Sequence, residues 1–442
     1  MVKQIYLGKR FFISGLLLVG IFIWAFSHPH WLDIAKLCLL AWVLLIFVDM
    51  LLLFRWQKGI TANRRTTERL SNGDANTVTI DVENRYPFDI AINIIDELPA
   101  QLQIRNFLLT DHLASQAYHQ LTYTIRPTER GEYFFGSLHI FVSSPLGIVQ
   151  RRYSLMGKES MLAVYPSFIQ MQKYELLAFS NQIQAFGIKK MRRIGHSMEF
   201  EQIKNYVVGD DYRHVNWKAT ARQNELMVNQ YQDEKSQQIY CVIDKGRTMK
   251  MPFDGLTLLD YAINSTLVMS NIVLKKGDKA GLLTFAEQPH SFLKASKQAS
   301  QMRHIQELLY REQTNFMESD YEKLYSLIRR QITQRSLILL FSNFETLSGM
   351  QRQLPFLLNI ARRHLLVVIF FENTALHTLL QQKTDNIQKV YEKTIAEKFA
   401  YEKQLIIKEL HIYGIQTIFT QPQDLSINTI NKYLELKARG RI

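Results

Sequence analysis

The sequence predicts three architectural parts in series: an N-terminal two-helix transmembrane hairpin, an all-β sandwich-like domain and a doubly wound α/β domain. Changes in hydrophobic period mark them. Two nearly uncharged apolar runs fill most of residues 1–58, a period of two prevails from 77 to about 165, and apolar strands alternate with amphipathic helical patterns after 236. A chain of 442 residues exceeds one ordinary core, and its 47% hydrophobic content is that of a folded protein. The expected divisions are 1–58, 59–165, a connector at 166–235, and 236–442.

The hairpin comes first. Phe11 to Leu32 contains no Asp, Glu, Lys or Arg, and Leu37 to Phe54 is broken only by Asp49. At 1.5 Å rise, about 20 residues cross a hydrocarbon layer of ~30 Å. His28-Pro29-His30 between the runs suits a tight outer turn. A cleaved leader would have a shorter apolar core and a small-residue cleavage site, and neither is clear here. Lys3, Lys9 and Arg10 precede the first run; Arg55, Lys58, Arg64, Arg65 and Arg69 follow the second; only Lys36 lies between. The positive-inside rule therefore places both ends of a two-pass hairpin, and the soluble domains, in the cytoplasm. Asp49 reads either as a carboxylate near the interface, hydrogen-bonded to the neighbouring helix, or as a proton or ion site. One acid on two helices makes no pathway, which favours the first reading.

Alternation defines the second part. Val78, Ile80 and Val82; Ile90, Ile92 and Ile94; Leu121, Tyr123 and Ile125; and Leu138, Ile140 and Val142 each alternate with polar residues. Turn signals at Asn84–Pro87, Pro127–Gly131 and Ser144–Gly147 separate them, as in a β-sandwich. Residues 166–190 read as a connector with room for one short helix. The third part begins with Ile239–Asp244, a continuous apolar run ending in an acid. Strands at 280–285, 337–341, 365–371 and 415–419 alternate with helical patterns near 256–274, 298–311, 319–333, 349–362, 385–412 and 425–437. This pattern means a parallel sheet covered on both faces. Ligands of such sheets sit at the carboxyl ends of the strands, an edge marked here by Asp244 and Asn343.

Between the two domains lies a compact motif: Met198-Glu199-Phe200, Tyr206, Gly209-Asp210-Asp211, Arg213, and Trp217-Lys218 through Arg222. Gly209-Asp210-Asp211 reads as a turn, and Arg213, Lys218 and Arg222 supply cations close to the two acids. Trp217 offers a face on which Arg can stack. These residues fit a buried polar staple onto the α/β domain, or a docking site for a partner or ligand. A basic run at Lys189–Arg193 with His196 fits a solvated connector or a headgroup contact.

Together with the α/β domain opening at Val242-Ile-Asp-Lys-Gly-Arg-Thr-Met249, this motif resembles the bacterial domain-of-unknown-function family fifty-eight. The resemblance implies two N-terminal membrane helices, a β-rich segment and a von Willebrand factor A-like domain at the inner membrane. It also implies company with MoxR-type AAA+ ATPases and other A-domain membrane proteins, and hence a membrane-anchored, non-enzymatic adaptor. The competing expectations are an envelope-biogenesis factor acting without an ATPase, and a metal-dependent hydrolase. A-domains often hold Mg²⁺ at an Asp-x-Ser-x-Ser site with a later Thr and Asp. The corresponding positions here are Asp244, Gly246 and Thr248, with Asn343 for the later acid and Ser319 or Asp320 for the remaining loop ligand. The middle hydroxyl is missing, one carboxylate stands where two are usual, and Arg247 opposes a cation. The site is therefore a degenerate one at which Mg²⁺ is a minor expectation. The alternative is that Asp244 caps the following turn and pairs with Arg247 or Lys245.

No phosphate loop, Gly-x-Ser-x-Gly elbow or His-Glu-x-x-His occurs, and the twelve histidines show no ligand spacing, so no enzyme activity and no catalytic residue are expected. The two cysteines, Cys38 and Cys241, make no disulfide framework. Residues 1–58 hold six basic and two acidic side chains, or +4 of the +13 net charge. Beside a membrane a basic surface points to anionic lipid, and no basic run interleaved with aromatics suggests nucleic acid.

Overall fold

The computed structural model describes residues 4–155, 160–179, 198–208, 210, 212–233, 236–373, 380 and 386–442. The chain forms two compact units, Met1–Tyr165 and Pro166–Ile442.

The first unit joins the helical hairpin to the β domain. A short strand β1 (Ile5–Leu7) precedes helix α1 (Lys9–Ser27), a turn of 3-10 helix at Pro29–Trp31, and helix α2 (Leu32–Phe54). Both long helices have the length and composition to cross a bilayer, and most of their apolar side chains are exposed. They meet through small contacts: Trp42 Nε1 donates to Ser14 Oγ at 2.9 Å, and Trp42 stacks obliquely on Phe11. Ala25 and Ala35 are buried near the turn, where small side chains let helices approach.

Ten further strands follow: β2 (Ile60–Arg65), β3 (Arg69–Ser71), β4 (Asn76–Asn84), β5 (Ile90–Asp96), β6 (Leu109–Leu113), β7 (Tyr118–Ile125), β8 (Gly131–Phe135), β9 (Leu138–Ser143), β10 (Val149–Leu155) and β11 (Ser160–Tyr165). They make a five-stranded sheet, β1-β10-β9-β5-β6, and two three-stranded sheets, β3-β11-β8 and β2-β4-β7. The alternating residues named above, Val78, Ile80, Val82, Ile90, Ile92, Ile94, Ile140 and Val142 among them, face one shared core. Because β1 pairs antiparallel with β10, the chain before the hairpin and the domain after it share one ladder. Both ends of the hairpin therefore lie at the same end of the helix pair.

Asp49 is fully buried, but its partner is not the neighbouring helix. It accepts from Ser144 Oγ, from the Ile148 N–H at 2.9 Å and from the Val149 N–H at 2.7 Å. Those donors belong to the turn entering β10, about a hundred residues on, which nothing in local spacing could point to. Arg151, also buried, donates to the carbonyls of Leu53 (2.7 Å), Trp56 (2.6 Å) and Gln57 (3.4 Å). A guanidinium there satisfies orphan carbonyls and meets the negative end of the α2 dipole. Tyr86 OH donates to the Leu53 carbonyl, and only a glycine at 59 leaves room for its ring. The hairpin is thus fixed to the β domain rather than strung from it.

In the second unit, helix α3 (Phe168–Phe179) takes the place of the one short helix for which the 166–190 connector had room. Phe168, Met171 and Tyr174 pack into the α/β core, and Glu175 binds Asn271 (2.7 Å) and Lys275 (2.5 Å). The signature occupies a hairpin of β12 (Met198–Asn205) and β13 (Met227–Asp233), with helix α4 (Trp217–Gln223) between them. Then come β14 (Gln238–Asp244), α5 (Leu258–Lys275), β17 (Lys279–Phe285), β18 (Pro289–Ser296), α6 (Gln301–Arg311), α7 (Tyr321–Gln331), β19 (Leu337–Phe341), α8 (Leu347–Ala361), β20 (Leu365–Phe371), α9 (Ile387–Ile412), β21 (Gln416–Thr420) and α10 (Leu425–Ala438); β15 (Pro252–Phe253) and β16 (Leu256–Thr257) form a two-residue ladder before α5. The sheet order is β18-β17-β14-β19-β20-β21. All pairings are parallel except that of edge strand β18. Core clusters on both faces of the sheet complete a doubly wound α/β domain.

Candidate functional site

The carboxyl edge of the sheet holds a cleft of about 460 Å³ lined by Asp244, Thr248, Phe316, Ser319, Asn343 and Arg352, among others. Asp244 ends β14 and is buried. Its Oδ1 accepts the Gly246 N–H at 2.8 Å and the Ser319 hydroxyl; its Oδ2 accepts Ser342 Oγ at 2.7 Å and Tyr321 OH at 3.2 Å. Burial pushes its pKa up, against the lowering effect of those donors. Burial, and then the Asp244 charge, push the Tyr321 hydroxyl well above its usual range.

The local sequence explains this arrangement. A Cβ at Gly246 would stand 2.1 Å from Ser319 Oγ. The hydroxyl missing at 246 is therefore supplied from 319, which can approach only because 246 is glycine. Asp320, the other candidate loop ligand, instead caps α7 by accepting from the Lys323 N–H at 3.0 Å. The expected turn-capping role of Asp244 is present, but its expected partners are elsewhere. Lys245 is buried against Glu312 at 2.6 Å, and Arg247 is exposed at the cleft.

Asn343 has a different task. Its Nδ2 donates to the Thr248 carbonyl at 3.3 Å, and its Oδ1 accepts from Lys403 Nζ at 2.8 Å. Lys403, on α9, also donates to the Phe344 carbonyl, and burial pushes its pKa down to about 8. The implied Mg²⁺ does not fit these residues. The donor set has one carboxylate, already committed to four protein donors, and the amide oxygen at 343 is held by an ammonium. A hard divalent cation wants several free oxygens. A ligand at a hundredfold its Kd would add about 2.7 kcal/mol of stability. The expected result is that Mg²⁺ leaves the unfolding midpoint where monovalent salt of equal ionic strength leaves it. A saturable rise specific to Mg²⁺ would show that the site holds metal.

The signature residues do not form a buried staple. Trp217 is 73% exposed and Val208 95%, and Tyr212, Arg213, Lys218 and Arg222 are exposed with them. Asp210 accepts from the Val207 N–H (3.1 Å) and from Lys204 (3.1 Å), which hold its carboxyl below the usual range. Its cation is thus Lys204, not Arg213, Lys218 or Arg222. Tyr206 N–H donates to the Leu226 carbonyl at 2.7 Å, closing the strands. Asn216 caps α4 through Ala219, and Thr220 Oγ1 accepts the Met227 N–H, so α4 is pinned to β13 by neutral polar groups. Glu199 lies opposite Gln232 in the ladder. Gly209, Asp211 and the basic run at 189–196 lie outside the described residues.

These two places define the class: a doubly wound α/β protein, with two apolar N-terminal helices, whose sheet-edge carboxylate is satisfied internally and whose signature hairpin is exposed. Residues 202–377 match the family described as protein of unknown function DUF58. The uncharacterized protein YeaD of Bacillus subtilis (strain 168) is 22% identical over 255 residues, covering 56% of this chain and 61% of its own length. The chain therefore matches less than two thirds of that relative. Among solved structures, the conserved hypothetical protein BatB of Bacteroides thetaiotaomicron aligns with 46% of this chain and all of its own, at 11% identity and a TM-score of 0.27. The CARDB domain of PF1109 from Pyrococcus furiosus aligns with 22% of this chain and 94% of its own, at 14% identity and a TM-score of 0.16.

Proposed function

We propose that this chain is a non-enzymatic adaptor anchored in the bacterial inner membrane, with a von Willebrand factor A-like domain and a MoxR-type AAA+ ATPase as its partner. The basic flanks of the hairpin favour a cytoplasmic position for the soluble domains, and the β1–β10 pairing supports placing both flanks on one side. The observation that carries the reading is the exposed signature hairpin. Trp217, Tyr212 and Val208 stand in solvent beside Arg213, Lys218 and Arg222, while the nearby acid Asp210 is neutralised by Lys204. Aromatic and arginine side chains are the usual anchors of protein interfaces, and exposed cations suit an acidic partner surface. The satisfied carboxylate at the sheet edge supports a role in holding a protein rather than in metal chemistry.

Trp217→Ala is expected to leave the unfolding midpoint unchanged, since the ring packs on nothing the fold needs. It is also expected to reduce ATPase recovered with the solubilised protein on the order of thirtyfold, the cost of an interfacial aromatic anchor of about 2 kcal/mol. Undiminished recovery from the variant would remove the hairpin from the interface. Crosslinked wild-type membranes that yield no ATPase would favour an envelope factor working alone.

A further inference from the structure

The membrane end of the β domain carries a cleft of about 500 Å³ walled by Lys9, Arg10, Asp89, Asn93, His112 and Gln150, among others. We propose that it binds the phosphate of an anionic phospholipid headgroup; this rests on the reading of α1 as a membrane span.

Four observations converge. Arg10 is held in place because its Nη1 donates to the carbonyls of Pro145 (2.8 Å) and Leu146 (3.0 Å), while Nε and Nη2 have no partner among the described residues. Its stem lies against Gly147, whose φ of +66° and missing Cβ leave it that space. Lys9 is exposed and has no hydrogen bond or ion pair among the described residues. The first turn of α1 has no side-chain cap and no acid, so its N–H groups and dipole add to the attraction for an anion. One acid, Asp89, shares the wall and already accepts from the Ser115 N–H at 2.8 Å, which leaves the cleft net positive.

Position selects lipid over free phosphate. Phe12 and Ile13, two and three residues past Arg10, are exposed apolar side chains, as are Leu16 and Leu17 one turn on. At 1.5 Å per residue, the acyl region starts within about 5 Å of the two cations. A phosphate seated between Lys9 and Arg10 would keep its glyceride chains alongside α1. Asn93, His112 and Gln150 offer hydrogen bonds to the headgroup beyond the phosphate.

The test uses the full chain in nanodiscs of phosphatidylcholine, with and without phosphatidylglycerol, read by native mass spectrometry of retained lipid and by unfolding midpoint. Phosphatidylglycerol is expected to be retained and to raise the midpoint, and Lys9→Gln to cut retention on the order of tenfold, the loss of one charge-assisted hydrogen bond. Lys58→Gln, on the other flank and outside the cleft, serves as the control. Removing its diffuse attraction is expected to cost no more than about fivefold. Equal losses in the two variants would reduce the cleft to general surface charge and overturn the proposal. So would a midpoint rise given by inorganic phosphate in lipid-free detergent. Resistance of each variant to carbonate extraction is measured alongside; a chain released by carbonate would refute the membrane reading itself, separately from the cleft.

Discussion

Lys245→Met is expected to destabilise the α/β unit by about 3–5 kcal/mol, the usual cost of breaking a buried ion pair by removing one partner. Lys245 and Glu312 are 3% and 4% exposed. Glu312 accepts from Lys245 Nζ at 2.6 Å, from Ser291 Oγ at 2.5 Å and from Thr284 Oγ1 at 2.9 Å, while Lys245 also donates to the Gln313 carbonyl at 3.1 Å. The pair ties the segment after β14 to the loop after α6, and so fixes the approach to the cleft. Burial alone would raise the Glu312 pKa; the ammonium and the two hydroxyls outweigh it and hold the carboxyl below its ordinary 4.5. A depressed folded-state pKa contributes stability that is fully present above 4.5 and is lost as the pH falls through the folded value. The Lys245→Met variant loses that contribution, so its deficit against wild type should be largest near neutrality and shrink below about pH 4.5. Adding Glu312→Gln should recover most of the loss, because the stranded charge is then gone. Denaturant melts of single and double variants across pH check all three statements; a deficit that does not vary with pH would mean the pair is not ionised in the folded protein.

The parallel strands were readable because each buried strand of a doubly wound sheet is a continuous apolar run, as in Ile239–Asp244 and Leu365–Phe371. β18 was missed because Pro289–Ser296 is mostly of intermediate burial, mixes in exposed His290 and Lys294, and opens on proline, the profile of an edge strand. β1, at three residues, carries no periodicity at all. α3 did carry a signal, since Phe168, Met171 and Tyr174 recur at helical spacing. At the candidate site, Asp244 and Asn343 were visible as strand-end polar residues. Of their partners, Ser319 was in view only as an alternative to Asp320, and Tyr321, Ser342 and Lys403 were not assignable, because they are set by sheet order and not by sequence distance. The staple alternative for the signature fails for a related reason. Balanced acids and bases look self-satisfying in sequence, yet the fold pairs Asp210 with Lys204 and leaves the other cations in solvent.

Asp49→Ala is expected to have the second large effect, on the joint between hairpin and β domain. An acid at this depth invites a transport reading, but its oxygens are fully used by Ser144 Oγ and the N–H groups of Ile148 and Val149. Removing it strands one hydroxyl and two backbone donors away from water, each worth about 1–3 kcal/mol. The damage should be local and directional. The Ser144–Val149 turn positions the start of β10, which in turn holds β1 and carries Arg151 to the end of α2. Amide exchange should therefore quicken at 146–151 and at Ile5–Leu7, while β4 and β7, on another sheet, keep wild-type protection. Asp49→Asn should fall between, since one amide oxygen cannot serve three donors. Insertion itself should survive both changes, because replacing the only acid in Leu37–Phe54 makes that run more apolar. Wild-type exchange at 146–151 in the alanine variant would deny Asp49 its structural role and return it to the class of membrane carboxylates kept for protons or ions.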